Sequence, residues 1–60
     1  MATFEIYRDG LGDYRWRLRN ESGVIAVGGE PFASRAGAER MVEAVVTQAP
    51  TARVVDLTGE

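Results

Sequence analysis

Cysteine, histidine and lysine are all absent from this sequence, and each absence removes a class of chemistry. Without cysteine there is no disulfide, and without cysteine or histidine the usual zinc, iron–sulfur and haem sites have no ligands. Without lysine there is no side-chain amine to act as a base or nucleophile. We therefore expect no cofactor and no metal. The all-arginine composition fits either a GC-rich coding sequence or adaptation to salt.

The chain also has no long apolar run. Nothing in it approaches the roughly 20 apolar residues that a membrane-spanning helix needs, and Met1–Glu5 lacks the basic and apolar regions of an export signal. Seven basic and nine acidic residues give a net charge of −2, which argues against bulk attraction to nucleic acid or anionic lipid. We expect a cytoplasmic protein that does not enter the membrane.

The length of 60 residues allows one domain, residues 1–60, and little hydrophobic interior. A chain of this size buries only about 60% of the surface that its unfolded form exposes. Small domains usually gain the missing stability from disulfides, a structural metal or self-association. Because the first two need residues that are absent here, the length and composition together favour a homodimer.

Alternating apolar and polar residues predict three strands in the first half of the chain. Phe4–Arg8 alternates over β-favouring residues, and Tyr14–Arg19 alternates strictly between an apolar or aromatic residue and arginine. The second pattern is typical of a strand with one buried face. Val24–Val27 is a short apolar run that fits a third strand, and the polar stretches 9–13 and 20–23 favour turns. Together they predict an antiparallel meander.

One helix and a final strand are predicted after the meander. Ser34 is a good N-cap, apolar residues recur at helical spacing from Ala38 to Ala49, and Pro50 should end the helix near Gln48. Ala52–Leu57 has the composition of a strand. The predicted fold is α+β with the order β-β-β-α-β. The helix is expected to pack on apolar residues of the sheet, namely Phe4, Ile6, Trp16, Leu18 and either Ile25 or Val27.

Five short motifs follow one another along these elements: Phe4-Glu5-Ile6-Tyr7, Tyr14-Arg15-Trp16-Arg17-Leu18, Val24-Ile25-Ala26, Ser34-Arg35 with Ala38, and Val54-Val55-Asp56. In these motifs residues 4–57 resemble the YegP-like family of small uncharacterised proteins. The resemblance implies units that pair as homodimers or occur as tandem repeats in one chain, and it implies no biochemical activity. The sequence departs from the family's pattern in two places. The turn after the second strand is longer than the family's Asn-Gly turn and reads Asn20-Glu21-Ser22-Gly23, and the helix core reads Met41-Val42-Glu43-Ala44-Val45.

The residue types present give little support to catalysis. The hydroxyl groups of serine and threonine have no histidine or lysine to activate them. Asp9 and Asp13 flank one loop and are candidates for a Mg²⁺ or Ca²⁺ site, but aspartates in glycine-rich turns more often accept local backbone hydrogen bonds. Gly28-Gly29 lacks the spacing of a phosphate-binding loop and fits a flexible bend. We expect no enzyme and no catalytic residues.

Arg15, Arg17 and Arg19 should share one face of the second strand, with Tyr7 on the neighbouring strand. Such a cationic and aromatic surface could bind single-stranded nucleic acid. The alternative is a solvated face on which Glu5 pairs with one of the arginines. Trp16 should lie on the opposite face, in the core.

The third and final strands leave apolar edges that a second copy could cover. Val24–Val27 or Val54–Leu57 would provide the template for pairing. We therefore interpret the chain as a small homodimeric binding or accessory module without catalytic activity. The alternative function is weak binding of single-stranded nucleic acid through Tyr7, Arg15, Arg17 and Arg19.

Overall fold

Three antiparallel strands and one helix make up the fold. The computed structural model describes all residues from Met1 to Glu60. The elements are β1 (Thr3–Arg8), β2 (Tyr14–Asn20), β3 (Gly23–Val27) and α1 (Arg35–Gln48), and a short 3-10 turn follows at Ala49–Thr51. The α+β class and the antiparallel meander predicted from the sequence are confirmed.

The register of the sheet separates an apolar face from a polar face. Ile6 lies opposite Trp16 and Phe4 opposite Leu18, while Glu5 lies opposite Arg17. Because successive residues of a strand point to opposite faces, the first two pairs line one face and the third lines the other. The alternation in β2 therefore sorts its aromatic and basic residues as the sequence predicted.

A β-bulge interrupts the pairing of β2 with β3. Leu18 lies opposite Ala26 and Arg19 opposite Val24, so that Ile25 has no partner in the ladder. An extra residue of this kind reverses which side chains of the bulged strand face inward. The prediction that Ile25 or Val27 meets the helix is wrong, because α1 lies over β1 and β2 and not over β3.

Trp16 is the only large side chain that the single chain buries. It is 8% exposed, and the only other buried residue is Ala38 of α1. The Phe4 ring lies 5.9 Å from the Trp16 ring at an interplanar angle of 56°, a tilted geometry that aromatic pairs favour. The core predicted around Trp16 is present, but it is small.

Local sequence signals set both ends of α1. The Ser34 hydroxyl accepts a hydrogen bond from the Gly37 amide at 3.2 Å, which satisfies one of the free amides of the first turn. A Cβ at Gly37 would lie 3.1 Å from the Phe32 ring, so that a larger residue there would need a small shift of Phe32. The helix ends at Gln48, as Pro50 predicted. It is neither long nor apolar enough to span a bilayer.

The predicted final strand, Ala52–Leu57, is not formed within the single chain. This segment runs outside any helix or strand, with Val54 99% and Leu57 90% exposed. A strand exists only where its amide and carbonyl groups find a neighbouring strand. Here the segment pairs with neither edge of the sheet. The whole chain measures 40 Å along its longest axis.

Candidate functional site

The arginine row, defined as Arg15, Arg17 and Arg19, lies on the face of the sheet opposite α1. The three residues alternate along β2 with Trp16 and Leu18, so their side chains emerge on the same side. Their side chains are between 31% and 43% exposed. The row is therefore accessible along its length.

Glu5 of β1 anchors two members of the row. Its Oε1 atom accepts a hydrogen bond from Arg17 Nε at 2.7 Å and another from Arg19 Nε at 3.1 Å. These hydrogen bonds, with that from Arg17 the larger cause, hold the pKa of Glu5 below its ordinary value of 4.5. The sequence predicted that Glu5 pairs with one arginine, and the structure places it against two.

Asp9 anchors the third member and organises the loop between β1 and β2. Its Oδ2 atom accepts a hydrogen bond from Arg15 Nε at 2.9 Å. Its Oδ1 atom accepts hydrogen bonds from the Leu11 amide at 2.9 Å and the Asp13 amide at 3.0 Å. The hydrogen bond from Arg15 is the main cause that holds the pKa of Asp9 below its ordinary value of 3.8. Both carboxylate oxygens serve the loop and the row, which disfavours the metal interpretation.

Tyr7 completes this face. The Arg17 guanidinium carbon lies 4.7 Å from the centre of the Tyr7 ring, within the range of a cation–π interaction. In the ladder, Tyr7 lies opposite Arg15. The four residues singled out from the sequence are therefore neighbours on one surface. The sequence did not indicate Asp9 as part of it, since that contact depends on the path of the loop.

The two anchoring carboxylates make the stability depend on pH. A carboxylate whose pKa is lower in the folded chain than in the unfolded chain stabilises the fold above its ordinary pKa. That contribution begins to be lost as the pH falls below the ordinary pKa, 4.5 for Glu5 and 3.8 for Asp9. It is gone once the pH has passed below the lower pKa that each carboxylate has in the folded chain.

We therefore expect the midpoint of thermal unfolding to fall on acidification through this range. Glu5→Gln should lower the midpoint at neutral pH and flatten the acid dependence, so that the two curves converge at low pH. Circular dichroism melts across a pH series measure both curves. Parallel curves for the two proteins would show that Glu5 has the same pKa in both states.

A second candidate site lies at the end of α1. An open, mostly apolar groove of about 460 Å³ runs between the last turns of the helix and the residues that follow. The C-terminal segment, residues 52–57, begins at this groove and carries Val54, Val55 and Leu57 into solvent. The residues that line the groove are Met41, Ala44, Val45, Gln48, Ala49 and Ala52.

The hydroxyl groups that could act as nucleophiles have structural roles or no partner for activation. Ser34 caps α1, the Thr51 hydroxyl donates to the Gln48 carbonyl at 3.4 Å, and the Thr58 hydroxyl donates to Asp56 Oδ1 at 2.6 Å. The first two contacts are with backbone groups. The third lies in an exposed local turn, in which the Thr58 amide also donates to Asp56 Oδ1, and no third side chain orients the carboxylate as a base.

The interpretation of Gly28 as part of a flexible bend is wrong. Its backbone packs against the Trp16 indole.

Fold and surface together describe a small α+β protein whose features are a polar sheet face and an exposed C-terminal segment. Residues 9–56 match the family described as Domain of unknown function (DUF1508). The chain is 37% identical over 57 residues to a UPF0339 protein of Methanosarcina acetivorans, covering 95% of this chain and 98% of that protein. The chain belongs to this family, which is the YegP-like family that the sequence resembles.

Two further relatives define the fold and the range of lengths. A solution NMR structure of a protein from Haloferax volcanii superposes with a TM-score of 0.85 at 39% identity, covering 92% of this chain and 93% of that one. A UPF0339 protein of Stutzerimonas stutzeri is 38% identical over 49 residues, which cover 82% of this chain but 44% of that protein. The family is uncharacterised, and no catalytic role is known for it.

Proposed function

We propose that residues 1–60 form one YegP-like unit that acts as a homodimeric binding or accessory module without catalytic activity. The observation that carries this proposal is an excess of exposed surface. The single chain exposes 4882 Å², whereas a folded monomer of 6.5 kDa exposes about 3800 Å² on average. Its radius of gyration is 13.2 Å, against about 10.4 Å for a compact domain of this length.

The excess matches the surface that a partner would cover. It amounts to roughly 1000 Å² per chain, and a stable interface buries about 800 Å² on each partner. Much of the excess is apolar, since Val54, Val55 and Leu57 are 99%, 63% and 90% exposed. Exposing such residues in an isolated chain forfeits about 1.5–3 kcal/mol for each large side chain.

The proposed occupant of this surface is a second copy of the chain. The C-terminal segment of each copy pairs as a strand with a sheet edge of the other, so that its free amide and carbonyl groups are satisfied. Both outer edges, β1 and β3, are available, because the sheet ends at these strands. Apolar residues of the segment then lie close to the groove beside α1. The length of the Stutzerimonas relative leaves room for a second unit in the same chain, which supports the pairing of two units but not a particular geometry.

The proposed module is cytoplasmic and has no substrate of its own. Carboxylates and hydroxyls are present, but those on the sheet face and at the helix ends are held in structural hydrogen bonds. A module of this kind acts by binding, through the surfaces that remain open in the dimer.

The experiment that tests the proposal is sedimentation velocity across a dilution series, with light scattering at the highest concentration. We expect a mass of twice 6.5 kDa at high micromolar concentration. Dissociation should be accompanied by loss of helical signal, because the isolated chain buries little. A cooperatively folded monomer at high micromolar concentration would contradict the proposal.

A further inference from the structure

The terminal nitrogens of the arginine row are free to bind a ligand. Each guanidinium donates only its Nε–H within the chain, to Glu5 or Asp9, and no Nη atom takes part in a hydrogen bond. A guanidinium has five N–H donors, so four remain on each arginine. Glu5 and Asp9 fix the orientation of the three guanidinium groups. The outer edge of each guanidinium group, which carries its two Nη atoms, has no partner within the chain.

We propose that the arginine row and Tyr7 bind the backbone and bases of single-stranded nucleic acid. Arg15, Arg17 and Arg19 are each two residues apart on β2, a repeat of about 6.6 Å along a strand. Successive phosphates of an extended single strand have a comparable separation. An arginine held by its Nε can still present both Nη groups to a phosphate, the bidentate geometry that favours arginine over lysine.

Stacking supplies the second part of the recognition. The Arg17 guanidinium covers one side of the Tyr7 ring at 4.7 Å, and the Arg17 side chain remains partly exposed. Bases of single strands stack on aromatic rings and on guanidinium planes, whereas the bases of a duplex are already stacked on one another. Val24 and Val27, which lie beside Arg19 and Arg17 in the ladder, extend the flat surface. An acidic peptide would pair with the positive charges of the arginine row but would place no base on the Tyr7 ring or the Arg17 guanidinium.

The charge balance of the face sets the expected strength. Three arginines and the two carboxylates that anchor them leave a net charge of +1, on a chain whose total charge is −2. We therefore expect affinities in the range of non-specific binding, with Kd of about 1–100 μM at moderate salt. The face is separate from the sheet edges and the groove, so it remains open when the proposed dimer forms.

The test is a titration of fluorescein-labelled oligothymidine, followed by anisotropy at two salt concentrations. With three phosphates neutralised, the affinity should fall roughly 20-fold between about 50 and 200 mM salt, since the slope for single strands is about −0.7 per contact. The variant Arg15→Gln, Arg17→Gln, Arg19→Gln should bind at least tenfold more weakly. The matched control is Arg35→Gln, Arg40→Gln, Arg53→Gln, which removes the same charge at exposed positions elsewhere.

Chemical shifts of the unmodified protein provide a measurement that does not depend on any variant folding. Addition of oligothymidine should shift the amide signals of β2 and of Tyr7 and leave those of α1 in place. Absence of saturable binding at 100 μM protein, an equal loss in the control variant, or equal binding of a polyglutamate peptide would each overturn the proposal. The last result would identify the row as a general anion site.

Discussion

Replacing Gly28 with alanine is expected to destabilise the protein enough to unfold a large share of it at room temperature. A Cβ at this position would lie 2.3 Å from Trp16 Nε1 and 2.6 Å from Trp16 Cε2, far inside van der Waals contact. Trp16 cannot move aside without giving up its contact with Phe4, and it is the only large side chain that the single chain buries. Overpacking of this kind costs about 1–3 kcal/mol and sometimes more.

The neighbouring glycine provides the matched control for this prediction. A Cβ at Gly29 would meet nothing within 4 Å, so Gly29→Ala should leave stability unchanged or raise it slightly through the lower entropy of the unfolded chain. Urea denaturation followed by Trp16 fluorescence measures both variants. If Gly28→Ala unfolds at the same urea concentration as the unmodified protein, the close packing of Gly28 on the indole is not present in solution.

Placing charge on the C-terminal segment is expected to abolish the homodimer. Val55 and Leu57 point to the same side of an extended segment and are 63% and 90% exposed in the single chain. If both become buried on association, each contributes about 1.5–3 kcal/mol. Val55→Asp with Leu57→Asp should therefore raise the dissociation constant of the dimer roughly 100-fold or more.

The control for this variant adds the same charge outside the segment. Ser22→Asp with Thr47→Asp introduces two carboxylates at exposed positions, one in the turn after β2 and one on the outer side of α1. Sedimentation at several concentrations compares the two proteins. An unchanged dimer in the Val55 and Leu57 variant would exclude the C-terminal segment from the interface, and equal weakening in the control would assign the effect to net charge.

The parts of the fold that could be predicted depend on neighbours in sequence. Strict alternation in β2 separated Trp16 from the arginine row. Ser34 and Pro50 marked the ends of the helix, because an N-cap side chain and a proline ring each act within one helical turn. The same alternation placed Tyr7 and Glu5 on the face of the row. Most of the candidate site could thus be predicted from the amino-acid sequence alone.

The parts that could not be predicted depend on contacts between distant residues. The bulge at Ile25 reverses the faces of β3, and nothing in an apolar run of five residues marks where an extra residue enters. Gly28 was interpreted as part of a flexible bend, because its contact with Trp16 joins residues that are distant in sequence and leaves no local signal. Ala52–Leu57 has the composition of a strand but finds no neighbour in its own chain, since composition reports the tendency to pair and not the identity of the partner.

The most direct test of the proposed dimer is isotope-filtered NMR on a mixture of labelled and unlabelled chains. Nuclear Overhauser contacts from the methyl groups of Val55 and Leu57 in labelled chains to protons of unlabelled chains report only contacts between copies. In the proposed dimer we expect such contacts with an edge strand or with the groove beside α1. A full set of contacts to these methyl groups from within the same chain, with none between chains, would contradict it.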